Sequence, residues 1–139
     1  MKDDNCIFCK LAAGQIPSNT LYEDEDFRVI MDIAPAVKGH AIVLPKQHMN
    51  DLLSIEEDTA KKILFVVSKI ASAIKDALGC DGINILQNNG EAAGQSVFHL
   101  HFHLLPRYEN DHFTIPWKTL SYAEGEAEAI AEKIRAVLR

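Results

Sequence analysis

Between residues 54 and 79 the chain reads SIEEDTAKKILFVVSKIASAIKDALG, with apolar side chains recurring every third or fourth position. Ala60, Ile63, Leu64, Val67, Ile70, Ala71, Ile74 and Leu78 form one stripe, the spacing of an amphipathic helix packed on a core. Ser54 and Glu57 have capping-box spacing for its start, and Gly79 is placed to end it in a left-handed turn. The flanking segments read with a shorter period. TLYEDEDFRVIMD (20–32) predicts two short strands turning at the acidic cluster Glu23 to Asp26. GHAIVLPKQH (39–48) predicts a third strand stopped by Pro45, GINILQNNG (82–90) a fourth and SVFHLHFHLL (96–105) a fifth. EGEAEAIAEKIRAVL (124–138) predicts a closing helix. The order defines an α+β domain: a mainly antiparallel five-stranded sheet, a long central helix and a C-terminal helix, with the helices covering one side.

Length and charge narrow the picture. At 139 residues and 47% hydrophobic, with no repeat or dividing linker, the chain reads as a single domain over 1–139. Its core spans about residues 5–110, and 111–139 form a C-terminal segment. The net charge of −6, without a long basic run, argues against a nucleic-acid groove. No apolar run approaches the ~20 residues that span a bilayer, and MKDDNCIFCK lacks the apolar centre of a signal peptide. Three cysteines, an odd number, argue for a reducing, cytoplasmic location rather than a disulfide framework.

The fifth strand carries the candidate chemistry. HLHFHLLPR (99–107) puts half of the six histidines at alternate positions, a coincidence expected in about one such chain in a hundred. On a strand, Phe98, Leu100, Phe102 and Leu104 would face the core and His99, His101 and His103 the other side. A merely polar solvent face is the plain alternative, but such faces favour Lys, Glu and Thr. Two functional readings stand. The histidines can chelate a catalytic metal, although a straight strand spreads His99 and His103 about 13 Å apart. Or the imidazoles can act directly on phosphorus, one as nucleophile and a neighbour as proton donor or anion stabiliser. The upstream turn NNGEAAGQS (88–96) favours the second, because Gly94 and the Ser96 hydroxyl can build a phosphate cradle.

GQSVFHLHFHLLPR, with GHAIVLPKQH upstream and CIFCKLAAGQIPSNTLYEDED at the start, resembles the histidine triad (HIT) family, nearest its bacterial Hint-like branch of nucleotide-binding proteins. The resemblance spans roughly residues 5–120 and implies a HIT-like fold. It also implies a nucleotide hydrolase or transferase acting at the α-phosphate of purine nucleotides, often as a phosphoramidase, through a nucleotidyl-histidine. By position, His101 is the implied nucleophile, with the His99 carbonyl accepting its Nδ1–H. His103 would stabilise the phosphate and assist the leaving group, and His40 would complete the cluster. Asn88, Gln95 and Ser96 match phosphate and leaving-group contacts, and Asp32 the carboxylate for the ribose hydroxyls. Ile7, Phe8, Leu11 and Ile33 match the slot for the base, although core packing explains apolar residues equally well. No catalytic metal is expected. A homodimer is implied, through the central helix and a sheet edge, and the consecutive Phe65, Val66 and Val67 agree with burial on more than one helix face; Trp117, which matches no family position, is expected to reach toward the partner's pocket.

Cys6-x-x-Cys9 reads as redox or zinc, and no thioredoxin-like βαβ context surrounds it. A structural zinc needs two more ligands, for which His48 and His99 are the candidates. That set resembles the zinc site of the galactose-1-phosphate uridylyltransferase branch of the same superfamily. Cys80 reads as a buried filler. Three functions therefore compete: a metal-independent nucleotidyl hydrolase, a metallohydrolase with the triad as ligands, and a nucleotide-binding scaffold with vestigial catalysis. Within the first, phosphoramidates and dinucleoside polyphosphates present the same α-phosphate.

Overall fold

The strand AIVLP is apolar throughout because it is buried on both faces, and the fold is organised around it. The computed structural model describes residues 3–139. Its elements are α1 (Ile7–Ala12), β1 (Thr20–Glu23), β2 (Phe27–Met31), β3 (Ala41–Pro45), α2 (Glu57–Leu78), β4 (Gly82–Leu86), β5 (Phe102–Arg107) and α3 (Glu126–Val137). The strands form one sheet in the order β1-β2-β3-β5-β4, every pair antiparallel. In β3, Ala41 and Val43 join Phe27, Val29, Phe102, Leu104 and the α2 residues Ile63, Val67, Ile70 and Ile74 in the main core. Ile42 and Leu44 point the opposite way and pack with Ile30, Ala12, Phe8 and Leu11.

Helices thus lie on both faces of the sheet, which corrects the one-sided arrangement expected. α1 is six residues long, too short to show periodicity. It begins where the Cys6 Sγ accepts the Cys9 N–H at 3.3 Å, so a thiol takes the part of a capping hydroxyl. α3 forms as expected but buries none of its residues, so it does not close over the sheet. Its approach is tied down at Arg107, whose guanidinium holds Asp111 at 2.8 Å, Asn84 at 2.7 Å and the Phe113 carbonyl.

Three boundaries move for local reasons. α2 starts at Glu57 from a Glu56 cap without a side-chain bond; Ser54 instead closes a capping box with Asp51 on a short 3-10 turn, Leu52–Ser54. Its buried stripe includes Val66, while Leu64 (63% exposed), Leu78 and Ala60 lie outside it. Gly79 ends the helix at φ +64°, as its position suggested. β4 stops at Leu86 rather than residue 90, because a second 3-10 turn, Glu91–Ala93, begins the loop to β5. β5 starts at Phe102 rather than residue 96: His99 and His101 sit on an irregular approach, and Phe98 is 49% exposed instead of core. Gln95 shapes that approach from a fully bonded, buried amide. It donates to the carbonyls of Asn50 (2.7 Å) and Val97 (3.1 Å) and accepts from Gly90 N–H at 2.8 Å.

Candidate functional site

Leaving the sheet register at residues 99–101 lets three alternate histidines face different surroundings. The His101 Nδ1–H donates to the His99 carbonyl at 2.6 Å. A carbonyl can only accept, so the proton is held on Nδ1 and the Nε2 lone pair is free. His101 and His103 line a cavity of about 620 Å³ together with Ser96 and Asp32. Burial holds the His101 pKa below its usual value, so the ring is neutral near pH 7.

A second proton is placed by a chain of bonds that begins at the backbone. The Ala36 N–H donates to His40 Nδ1 at 3.0 Å, which puts the His40 proton on Nε2. That proton is donated to His103 Nδ1 at 2.8 Å. His103 therefore carries its own proton on Nε2. Burial, reinforced by the neighbouring His101 and His40, pushes its pKa down to about 4. Asp32 Oδ2 lies 3.5 Å from His40 Nε2, and Asp32 Oδ1 accepts the Ala34 N–H at 2.8 Å. The two facing rings, centroids 4.8 Å apart, thus differ in kind: His101 offers a lone pair and His103 an N–H donor.

His99 points elsewhere. Its Nε2–H donates to the Pro45 carbonyl at 2.8 Å, leaving Nδ1 as a lone pair 3.4 Å from the Sγ atoms of both Cys6 and Cys9. His48 Nδ1 is 3.3 Å from Cys9 Sγ, while its Nε2–H donates to Asn50 Oδ1 at 3.2 Å. One ligand atom from each of Cys6, Cys9, His48 and His99 lies within 4.8 Å of the others. Tetrahedral Zn²⁺, with bonds of ~2.3 Å to sulfur and ~2.0 Å to nitrogen, spaces its S and N ligands about 3.5 Å apart, so this donor set fits it. Both imidazoles have the far nitrogen tied to an oxygen, the arrangement that fixes a ligating tautomer.

Of the residues expected at the base slot, Ile7, Phe8, Leu11 and Ile33 all line the cavity. Asn88 and Gln95 do not. Gln95 is spent on the loop, and Asn88 packs under the turn at Gly94, where an added Cβ would lie 3.5 Å from its Nδ2. His40 does not line the cavity and meets it through His103 and, at 3.5 Å, through Asp32. The reading of the triad as ligands of one metal fails geometrically, because the His99 ring faces the thiols and not His101 or His103. Sequence reasoning missed that Ile16, Ser18, Asn19, Ile30 and Ile42 also line the cavity. For Ile42 the signal was available, since it alternates with core residues on β3, which is apolar on both faces, whereas Ile30 shares its face of β2 with Arg28.

Sheet, apolar slot and paired imidazoles together define a class of small α+β proteins built around a histidine cluster. The HIT domain model matches residues 13–110, and the chain belongs to the HIT family. Protein hit of Bacillus subtilis is 49% identical over 117 residues, covering 84% of this chain and 81% of that protein. Adenosine 5'-monophosphoramidase hnt1 of Schizosaccharomyces pombe is 35% identical over 136 residues, 97% of this chain and 99% of that one. The crystal structure of a HIT family member from Bacillus subtilis superposes with a TM-score of 0.92 at 44% identity, covering 98% of this chain and 99% of that chain. Cys6 and Cys9 precede the matched domain, whereas His48 and His99 lie within it.

Proposed function

We propose that this chain is a nucleotide hydrolase that opens the α-phosphate of purine nucleotide conjugates, phosphoramidates first, through a nucleotidyl-His101 intermediate. The observation that carries this reading is the pair of opposite tautomers facing one cavity, His101 with a free Nε2 and His103 with an Nε2–H. In the first step His101 Nε2 attacks phosphorus and the bond to the leaving amine breaks. The amine takes up a proton, with His103 Nε2–H or Ser96 placed to assist. The positive charge that develops on the His101 ring is stabilised by its Nδ1–H bond to the His99 carbonyl. In the second step water attacks phosphorus, its proton replaces the one given to the amine, the P–Nε2 bond breaks, and the mononucleotide leaves with the His101 ring neutral again. In this reading Asp32 takes the ribose hydroxyls and Ile7, Phe8, Leu11 and Ile33 the base, and all five line the cavity. The name of the fission-yeast relative agrees with a phosphoramidate substrate.

Structural zinc held by Cys6, Cys9, His48 and His99 belongs to the same reading; bound there, it would supply a cross-link and no chemistry at phosphorus. A homodimer is part of it too, since Leu64 and Phe65 on α2, Ile85 on the edge strand β4, and Trp117 are all exposed. A monomer in light scattering at micromolar concentration would overturn the dimer. No helix among the described residues is long and apolar enough to cross a membrane, and a cytoplasmic location is the expectation. The central test reacts the protein with α-phosphate-labelled adenosine 5′-phosphoramidate and quenches it. Acid-labile, alkali-stable label on the 99–103 peptide is expected. Faster turnover of diadenosine polyphosphates by the same sample would shift the substrate class.

A further inference from the structure

α1 is six residues long, and a helix of that length does not hold itself in water. Two anchors keep it in place. On one side Phe8, Leu11 and Ala12 pack on Ile30, Ile42 and Leu44. On the other, its first turn lies between Cys6 and Cys9, whose sulfurs face His99 and His48. The same turn builds part of the cavity wall: Ile7, Phe8 and Leu11 line it, and the Phe8 ring stands edge-on to His101, with centroids 4.8 Å apart. Residues that line the cavity thus alternate along six positions with residues of the thiol-imidazole cluster.

We infer that the Cys6/Cys9/His48/His99 cluster acts as a clasp on the nucleotide pocket, so that metal held there sets the affinity for nucleotide by fixing the α1 wall. The inference rests on the metal and nucleotide readings proposed above. Apolar packing holds Phe8, Leu11 and Ala12 but not Ile7, which is 52% exposed, and the cap of the first turn is itself the Cys6 thiol. With the cluster closed, the wall is preformed and a nucleotide does not bear the entropy of ordering it. Cys6, Cys9 and His48 are then positioning residues that act through Ile7 and Phe8.

The test uses AMP as probe and reads binding rather than turnover. Protein loaded with one Zn²⁺ per chain is compared with the same protein stripped by chelator under reducing conditions, with circular dichroism checking that the sheet is retained. The dissociation constant for AMP should rise at least tenfold on stripping and recover with Zn²⁺ or Co²⁺. By reciprocity, AMP should tighten zinc by the same factor in chelator competition. If the stripped chain unfolds, His48→Asn, which keeps three ligands, carries the comparison between low and saturating zinc. Stoichiometric zinc with an AMP affinity unchanged within twofold overturns the clasp and leaves the structural-zinc reading intact. Failure to bind zinc at all overturns both, and failure of the zinc-loaded protein to bind AMP overturns the nucleotide reading.

Discussion

His99 and His103 are four residues apart, yet their rings belong to two different chemical settings. The His99 group is sealed: the side chain is fully buried, one ring nitrogen is tied to the Pro45 carbonyl, and the other faces two thiols. The group around His101 and His103 is open to a cavity of about 620 Å³, with one lone pair and one N–H directed by bonds on the far side of each ring. In both groups a carbonyl or backbone amide fixes the tautomer. What separates them is the atom that the remaining nitrogen meets, soft sulfur in one case and open space in the other. His40 and His103 approach to 2.8 Å, the length of an ordinary hydrogen bond with the proton on His40 Nε2. A ring nitrogen becomes a ligand or a reagent through its neighbours.

The largest effect that would test this division is at His101. His101→Ala should lower turnover by about 10⁴-fold or more, the scale for loss of a covalent nucleophile. Label trapping should vanish, while zinc content and melting temperature stay near those of the parent chain. Full activity in that variant would show that the open group is not the reacting one. His40→Ala comes next. Without its donor, His103 Nδ1 is free to take the proton, so turnover should drop roughly 10–100-fold, as for a displaced proton donor. AMP affinity, measured calorimetrically, should hardly move, and an unchanged turnover would remove His40 from the proton chain.

On the sealed side the expected loss is in stability. Cys6→Ser with Cys9→Ser should abolish zinc binding and lower the melting temperature by about 5–10 °C, since a structural site contributes folding free energy directly. Turnover at saturating substrate should change less than tenfold. Zinc retained at one per chain in the double variant would move the metal to the open group. The smallest effect is in acid. His103 titrates near 6.5 when unfolded and at about 4 when folded. Between those values the unfolded chain binds a proton that the folded chain refuses, so stability falls as pH drops from about 6.5 to 4. Denaturation of His103→Asn should show a shallower decline over that window; an identical slope would assign the acid sensitivity to other groups.

The sequence alone determined a good deal, wherever the determinant is local. The 3.6-residue period of α2 and Gly79 at its end, the apolar run of β3, and the alternation in β2 each follow from side-chain spacing along one element. The Cys-x-x-Cys pair and the three alternate histidines announced coordination or phosphorus chemistry, and the resemblance carried by GQSVFHLHFHLL pointed to the His99 carbonyl as the partner of His101. Tertiary structure decided the rest, because it depends on what lies across space from each side chain. Nothing local says that Gln95 is consumed by bonds to Gly90, Asn50 and Val97, or that residues 96–101 therefore stay off the sheet with Phe98 exposed. Nor does spacing reveal that Ala36 sets the His103 proton through His40, since a tautomer is fixed by the partner of the far nitrogen. The six residues of α1 are the clearest case. Too short for a period, they become a helix and a pocket wall only where Ile30, Ile42 and Leu44 receive one side and two distant histidines meet the cysteines on the other.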